Sequence, residues 1–321
     1  MKGRATAFVS LLVVVFAFLP TTANAATRSA GMLGPAYRKG VTPPSSQATT
    51  ADNTALPGNL VYHGGRILPR STAHAVFWTG GPAFPAGYET GVAQYFADVA
   101  SDSAVQAVTN VYSVGTQYFD KRKNGTIRNH ANYDVVDGGS IDISLPLANG
   151  CKVKSSRGFV RCLTDAQVQR IAKAAAGTTR GLNDIYFVFL PQGVDTCAGI
   201  FCASNFFCAY HSALLARTGW ILYTNQPFAD AGGGCDTGES PNADPAVDNV
   251  LSVVSHEHNE TITDPLGNAW FSRSGDENGD KCNLDFGPLT GPDYNQTIGA
   301  NHYYLQQEWS NRSRACLQSG T

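Results

Sequence analysis

The segment His256-Glu257-His258-Asn259-Glu260 has the form His-Glu-x-x-Glu. Side chains four residues apart on a helix lie one above the other, so His256 and Glu260 can close on a single ion. Glu257 is turned about 100° from His256 around such a helix and can stand beside that ion, where a carboxylate takes a proton from metal-bound water. This is the logic of the His-Glu-x-x-His zinc peptidases, with the second histidine replaced by a carboxylate. His258 points to another face. A tetrahedral catalytic zinc takes three protein ligands and leaves one place to water. Glu277, on an acid-rich loop 17 residues beyond Glu260, is the first choice for the third ligand, with Asp280 and Asp264 as alternatives. The expected cofactor is Zn2+, with Glu257 as the catalytic base. The competing arrangement has Glu257 and Glu260 facing solvent and His256 merely packed.

Other chemistry is weaker. Asp276-Glu277-Asn278-Gly279-Asp280 sets oxygen-bearing side chains at alternate positions but lacks the later bidentate Glu of a calcium loop, so Ca2+ is the lesser alternative. His211, in Cys208-Ala209-Tyr210-His211, is a candidate cleft residue, while packing is its commoner role. Ser255 lacks the Gly-x-Ser-x-Gly elbow of an α/β-hydrolase. Gly232-Gly233-Gly234 lacks the strand and lysine of a phosphate loop and reads as a turn.

The His-Glu-x-x-Glu segment needs a helix to position it. Asp244 is a suitable N-cap and Pro245 suits the first helical position. The run from Ala246 to Ile262 supplies about four and a half turns, and Pro265 disfavours helix at Asp264. Its Val- and Leu-rich first half predicts burial. A second helix start is Leu163-Thr164-Asp165-Ala166-Gln167-Val168, with a capping box between Thr164 and Gln167, running to Ala176 before Gly177. Helical spacing over Tyr88 to Val99 predicts another helix, and Ala104 to Tyr112 a further one. Strands are expected at His74 to Trp78, Ile141 to Leu145, Ile185 to Leu190 and Trp220 to Tyr223. The mixture predicts an α/β or α+β fold, a mixed sheet with packed helices.

The chain has 321 residues, 43% hydrophobic and 15% charged, with 23 Lys+Arg against 25 Asp+Glu. With no basic block and a net charge of −2, binding nucleic acid by phosphate neutralisation is not expected. Lys2 and Arg4, the apolar stretch from Phe8 to Leu19 and Ala23-Asn24-Ala25 form a secretory signal pattern over 1–25. The stretch is too short for a bilayer span, so no transmembrane anchor is expected after cleavage. Residues 26–59, rich in Ala, Thr, Ser, Pro and Gly, read as a flexible lead-in, and 60–321 as a single globular domain. Cys151, Cys162, Cys197, Cys202, Cys208, Cys235, Cys282 and Cys316 make an even count, which in an exported chain predicts disulfide staples. Two loops look locally stapled, the one from Cys151 to Cys162 and the one where Cys197, Cys202 and Cys208 crowd into twelve residues; the pairing itself stays open. Asn124, Asn259, Asn295 and Asn311 are formal glycosylation acceptors, and a glycan on Asn259 would sit beside the metal motif.

Leu60-Val61-Tyr62-His63-Gly64-Gly65-Arg66-Ile67-Leu68 resembles the opening of the plant phosphate-induced, or EXORDIUM-like, family. The likeness continues through Arg180-Gly181, Ile185 to Leu190, Phe207 to His211, and Thr263 to Trp270, covering about residues 60 to 316. The resemblance implies secretion, cell-wall or extracellular association and a role in growth responses, without a settled catalytic activity. The chain is also similar to microbial secreted members that carry the His-Glu-x-x-Glu form, which implies a zincin-like relative. The leading expectation is a secreted zinc peptidase acting on peptide or cell-wall substrates. The alternative is a non-catalytic extracellular or wall-associated protein.

Overall fold

Alternation of apolar residues along the strands decides the layers. In the computed structural model, which describes residues 58–105, 108–229 and 234–320, five strands form the central sheet: β1 (Ser71–Trp78), β2 (Val135–Ile143), β3 (Asp184–Phe189), β4 (Tyr210–Ala216) and β5 (Gly219–Gln226). Their order across the sheet is β4-β5-β3-β1-β2. β1 pairs parallel with both β2 and β3, and β5 pairs parallel with β3. Only β4, on the edge, runs antiparallel to its neighbour β5. The parallel pairs require crossovers, and those from β1 to β2 and from β2 to β3 each carry a helix.

Three α-helices cover the sheet: α1 (Tyr88–Ala104), α2 (Asp165–Ala176) and α3 (Pro245–Thr263). Phe77, Phe187 and Leu222 share one core with Val92, Phe96 and Val99 of α1 and Val250, Leu251 and Val254 of α3. Val76, Val188 and Ile221 share a second core with Val168, Ile171 and Ala172 of α2. Successive residues of a strand therefore serve opposite layers, and each such buried side chain stabilises by roughly 1.5–3 kcal/mol. The fold is mixed α/β, with helices on both faces of a mixed sheet.

The expected helix starts at Thr164 and at Asp244 are present. Gln167 Oε1 accepts the Thr164 backbone N–H at 2.9 Å, completing a capping box, and Asp244 accepts the Val247 N–H at 3.4 Å. Of the further helix expected over Ala104 to Tyr112, the described residues 108–110 are not helical. α1 itself runs on to Ala104, and a 3-10 segment occupies Val111–Gln117 instead, with the Asn110 side chain accepting the Tyr112 N–H. The signal segment 1–25 and most of the 26–59 lead-in lie outside the described residues, as do Gly232 and Gly233.

All eight cysteines are paired: Cys151–Cys162, Cys197–Cys202, Cys208–Cys235 and Cys282–Cys316. The crowded trio splits, because Cys197 and Cys202 face each other across adjacent short strands whereas Cys208 reaches 27 residues on. Asn259 is buried within α3, so the folded chain withholds that glycosylation acceptor. Among the described residues, no helix is long and apolar enough to cross a membrane.

Candidate metal centre

The helix that carries the motif is not amphipathic in the ordinary sense. Every residue of α3 from Val247 to Thr263 is buried, because α3 contacts α1, the sheet edge at β4 and β5, and the 3-10 segment, with the C-terminal strand Asn301–Tyr303 also against it. The solvent-facing arrangement of Glu257 and Glu260 is thereby overturned: both are at most 1% exposed. A buried carboxylate without a partner is costly, so the chemistry around these two decides what the site is for.

Glu260 stands at the centre. Its Oε1 accepts the Asp280 backbone N–H at 2.9 Å and lies 3.1 Å from His256 Nε2. Its Oε2 lies 3.6 Å from Nε2 of His211, which in turn is 2.9 Å from Glu277 Oε2. Two groups with metal-ligating geometry therefore share Glu260: His211, Glu260 and Glu277 on one side, and His256, Glu257 and Glu260 on the other. Asp280 Oδ1 approaches His256 Nε2 only to 3.9 Å, and its Oδ2 accepts the Glu277 N–H.

Four poorly partnered buried atoms make this cluster suit a cation. Glu277 Oε1 and His211 Nδ1 are buried with no hydrogen-bond partner, and Glu257 has no well-formed hydrogen bond at either oxygen, although the His211 backbone N–H exerts a weaker pull on it. Imidazole nitrogen with carboxylate oxygen is a donor set for zinc and neighbouring first-row ions. The residues present fit such an ion.

The electrostatics agree. Burial, and after it the charges of Glu260, Asp280 and Glu277, push the Glu257 carboxyl well above its ordinary range. Glu277 and Asp280 are pushed well up for the same reasons, burial first and neighbouring carboxylates second. Burial also works against ionised Glu260, but the pull of the neighbouring His256 and His211 side chains and of the Asp280 N–H outweighs it and holds Glu260 below the usual value. Burial pushes the His211 imidazole down, against the pull of Glu260 and Asp264. A cation would reverse these carboxyl shifts, since opposite charge favours the ionised form.

The remaining expected residues have other partners. Asp264 caps the end of α3 and gives Oδ1 to the backbone N–H groups of Asn268 and Ala269. Burial raises its carboxyl to about 6 despite those two bonds. The calcium-loop pattern comes apart: Asp276 takes the Ser272 and Ser274 hydroxyls, while Asn278 accepts from Thr263 and donates to Glu308. His258 faces away, as its position two residues from His256 predicts. Its Nε2 lies 2.9 Å from Ser71 Oγ and its Nδ1 3.1 Å from the Tyr112 hydroxyl.

Strand β4, which presents His211, carries no signal strong enough to have been expected from sequence. Its register against β5, Tyr210 to Asn225 and His211 to Thr224, brings the histidine to the sheet edge beside α3. Gln306, which touches His256, has no local signal either, for it lies 50 residues away.

Residues 60–307 match the family described as phosphate-induced protein 1 conserved region. That span agrees with the resemblance borne by the Tyr62-His63-Gly64 opening and the Thr263 to Trp270 segment. No curated protein and no solved structure matches the chain.

Proposed function

The chain belongs to the phosphate-induced protein 1 family, and from that premise we propose that it works outside the cell as a metal-stabilised, non-hydrolytic protein associated with extracellular or wall material. A divalent ion, zinc first, is held around Glu260 by donors drawn from His211, His256, Glu277 and Asp280. The observation that carries the non-hydrolytic reading is closure. His256, Glu257 and Glu260 are at most 1% exposed, and Glu277 and Asp280 at most 8%. A hydrolytic ion needs an open ligand position facing a cleft that admits substrate. One pocket among the described residues, bounded by Arg157, Phe159, Ser204, Phe207 and Phe228, includes no member of the cluster. Export is supported by the basic and apolar N-terminal pattern and by four disulfides, which persist in oxidising compartments. One domain over 60–321 accommodates both cores on a single sheet.

Glu257 favours a second reading, a zincin-like peptidase. When bound, a divalent ion supplies Lewis acidity and a more acidic water. Glu257, its carboxyl pushed up by burial and lacking a strong partner, is placed to accept a proton at either oxygen, and β4 offers an antiparallel sheet edge next to it.

Zinc loading followed by metal analysis, a thermal melt and a broad peptide-cleavage screen tests both readings. The expected result is stoichiometric zinc, a melting point that falls on chelation, and no cleavage. Absence of bound zinc at saturating concentration would remove the metal reading. Cleavage that disappears in Glu257→Gln while zinc is retained would transfer the assignment to the peptidase.

A further inference from the structure

Gln306 determines which nitrogen of His256 carries the proton. Its Oε1 accepts the Leu284 backbone N–H at 3.0 Å, and its Nε2 donates to the Gly279 carbonyl at 2.8 Å. Those two backbone partners fix which end of the amide is nitrogen, because an N–H cannot accept and a carbonyl cannot donate. The same Nε2 lies 3.0 Å from His256 Nδ1. Nδ1 is therefore the accepting nitrogen, and the hydrogen of the neutral ring is on Nε2. Gly279 leaves room for the ring: a Cβ added there would lie 2.7 Å from Nδ1.

That hydrogen faces Glu260 Oε1 at 3.1 Å, and the same oxygen already takes the Asp280 N–H at 2.9 Å. With two donors on Oε1, the oxygen left for an ion is Oε2, on the side of His211 and Glu277. A ligating imidazole nitrogen needs its lone pair. On His256 the nitrogen that faces Glu260 carries the hydrogen instead.

Resting on the metal reading above, we infer that His211, Glu260 and Glu277 hold the ion, and that His256 is a positioning residue that fixes Glu260 through Nε2–H instead of a ligand. Two carboxylates balance a divalent charge, and Glu277 Oε1, buried and without a partner, lies within this set. The site then belongs to the junction of the sheet edge with the helix, and the sequence motif supplies one ligand and the residue that orients it.

The test uses the full chain and Zn2+ alone as probe. Titration should show that His256→Ala still binds zinc, with affinity lowered by about 10–100-fold, the usual cost of removing a residue that orients a ligand. His256→Gln, which keeps an N–H toward Glu260, should recover most of that loss, whereas His211→Ala should not bind measurably. Long-range proton–nitrogen spectra of histidine-labelled wild type give a readout that needs no variant. On zinc saturation the His211 ring should take the metal-ligated pattern, while His256 keeps an unprotonated Nδ1 and a protonated Nε2. A His256 ring that becomes ligated, or zinc retained by His211→Ala and lost by His256→Ala, would overturn the inference and leave the metal reading standing. No zinc on wild type at all would defeat that reading and this inference together.

Discussion

His258 offers the most direct measurement of what burial costs on this helix. The ring is fully buried, bounded edge-on by Phe96, Tyr112 and Phe187, and its nitrogens meet only the Ser71 and Tyr112 hydroxyls. Among the described residues no carboxylate is close enough to support the charged form, and burial lowers its pKa from 6.5 to about 3. Between those values the unfolded chain binds a proton that the native state excludes, so stability is fully present above pH 6.5 and is lost as pH falls toward 3. At about 1.4 kcal/mol per unit, the loss from pH 7 to pH 4.5 amounts to about 3 kcal/mol. His258→Gln removes this titration. Urea unfolding of both proteins at the two pH values, in chelator and at constant ionic strength, gives the double difference. Absolute losses from the altered hydroxyl contacts cancel in it, as do the opposing contributions of the raised carboxyls of Glu257, Glu277 and Asp280, which both proteins share. The wild type should lose about 3 kcal/mol more than His258→Gln on acidification. Parallel pH profiles, within about 0.5 kcal/mol, would refute the claim that this histidine folds neutral.

Glu257→Gln should stabilise the metal-free protein increasingly as pH rises, because a raised carboxyl contributes its stability in the protonated form and loses it through the folded pKa. The gain, followed by urea unfolding from pH 5 upward, grows by about 1.4 kcal/mol per pH unit while the unfolded carboxyl is ionised and the folded one still holds its proton, and a flat difference would count against the shift. Leu251→Ala, at a position 1% exposed between α3 and the sheet, should cost about 2–5 kcal/mol in the same assay. Replacing Cys282 and Cys316 together by Ser opens a crosslink spanning 34 residues, and chain entropy sets the loss near 4 kcal/mol. A loss below about 1 kcal/mol would show that the C-terminal segment is held by its other contacts.

Features governed by neighbours in the chain were legible in the residues themselves. The α3 start at Asp244-Pro245 and its end before Pro265, the capping box of Thr164 and Gln167, and the apolar runs of β1 and β3 each depend on residues a few positions apart. The same holds for the Cys151–Cys162 pair, 11 residues apart. Helical spacing over Ala104 to Tyr112 misled because Asn110 caps the shorter 3-10 segment that begins at Val111.

The metal motif marks the division. Spacing alone establishes that His256 and Glu260 share a helix face and that Glu257 stands beside them. Whether those groups meet water or each other depends on what covers α3, and the covering elements lie far away in sequence: β4 with His211, the 277–280 turn, and Gln306. A hydrogen bond across 50 residues leaves no periodicity for a reader to find. Local sequence thus determined the helix and the types of donor on it, because capping and side-chain spacing act within a few turns. Tertiary packing alone decided their burial, the partner of each oxygen and the proton on each histidine, because desolvation and hydrogen-bond direction exist only once distant segments close around the helix.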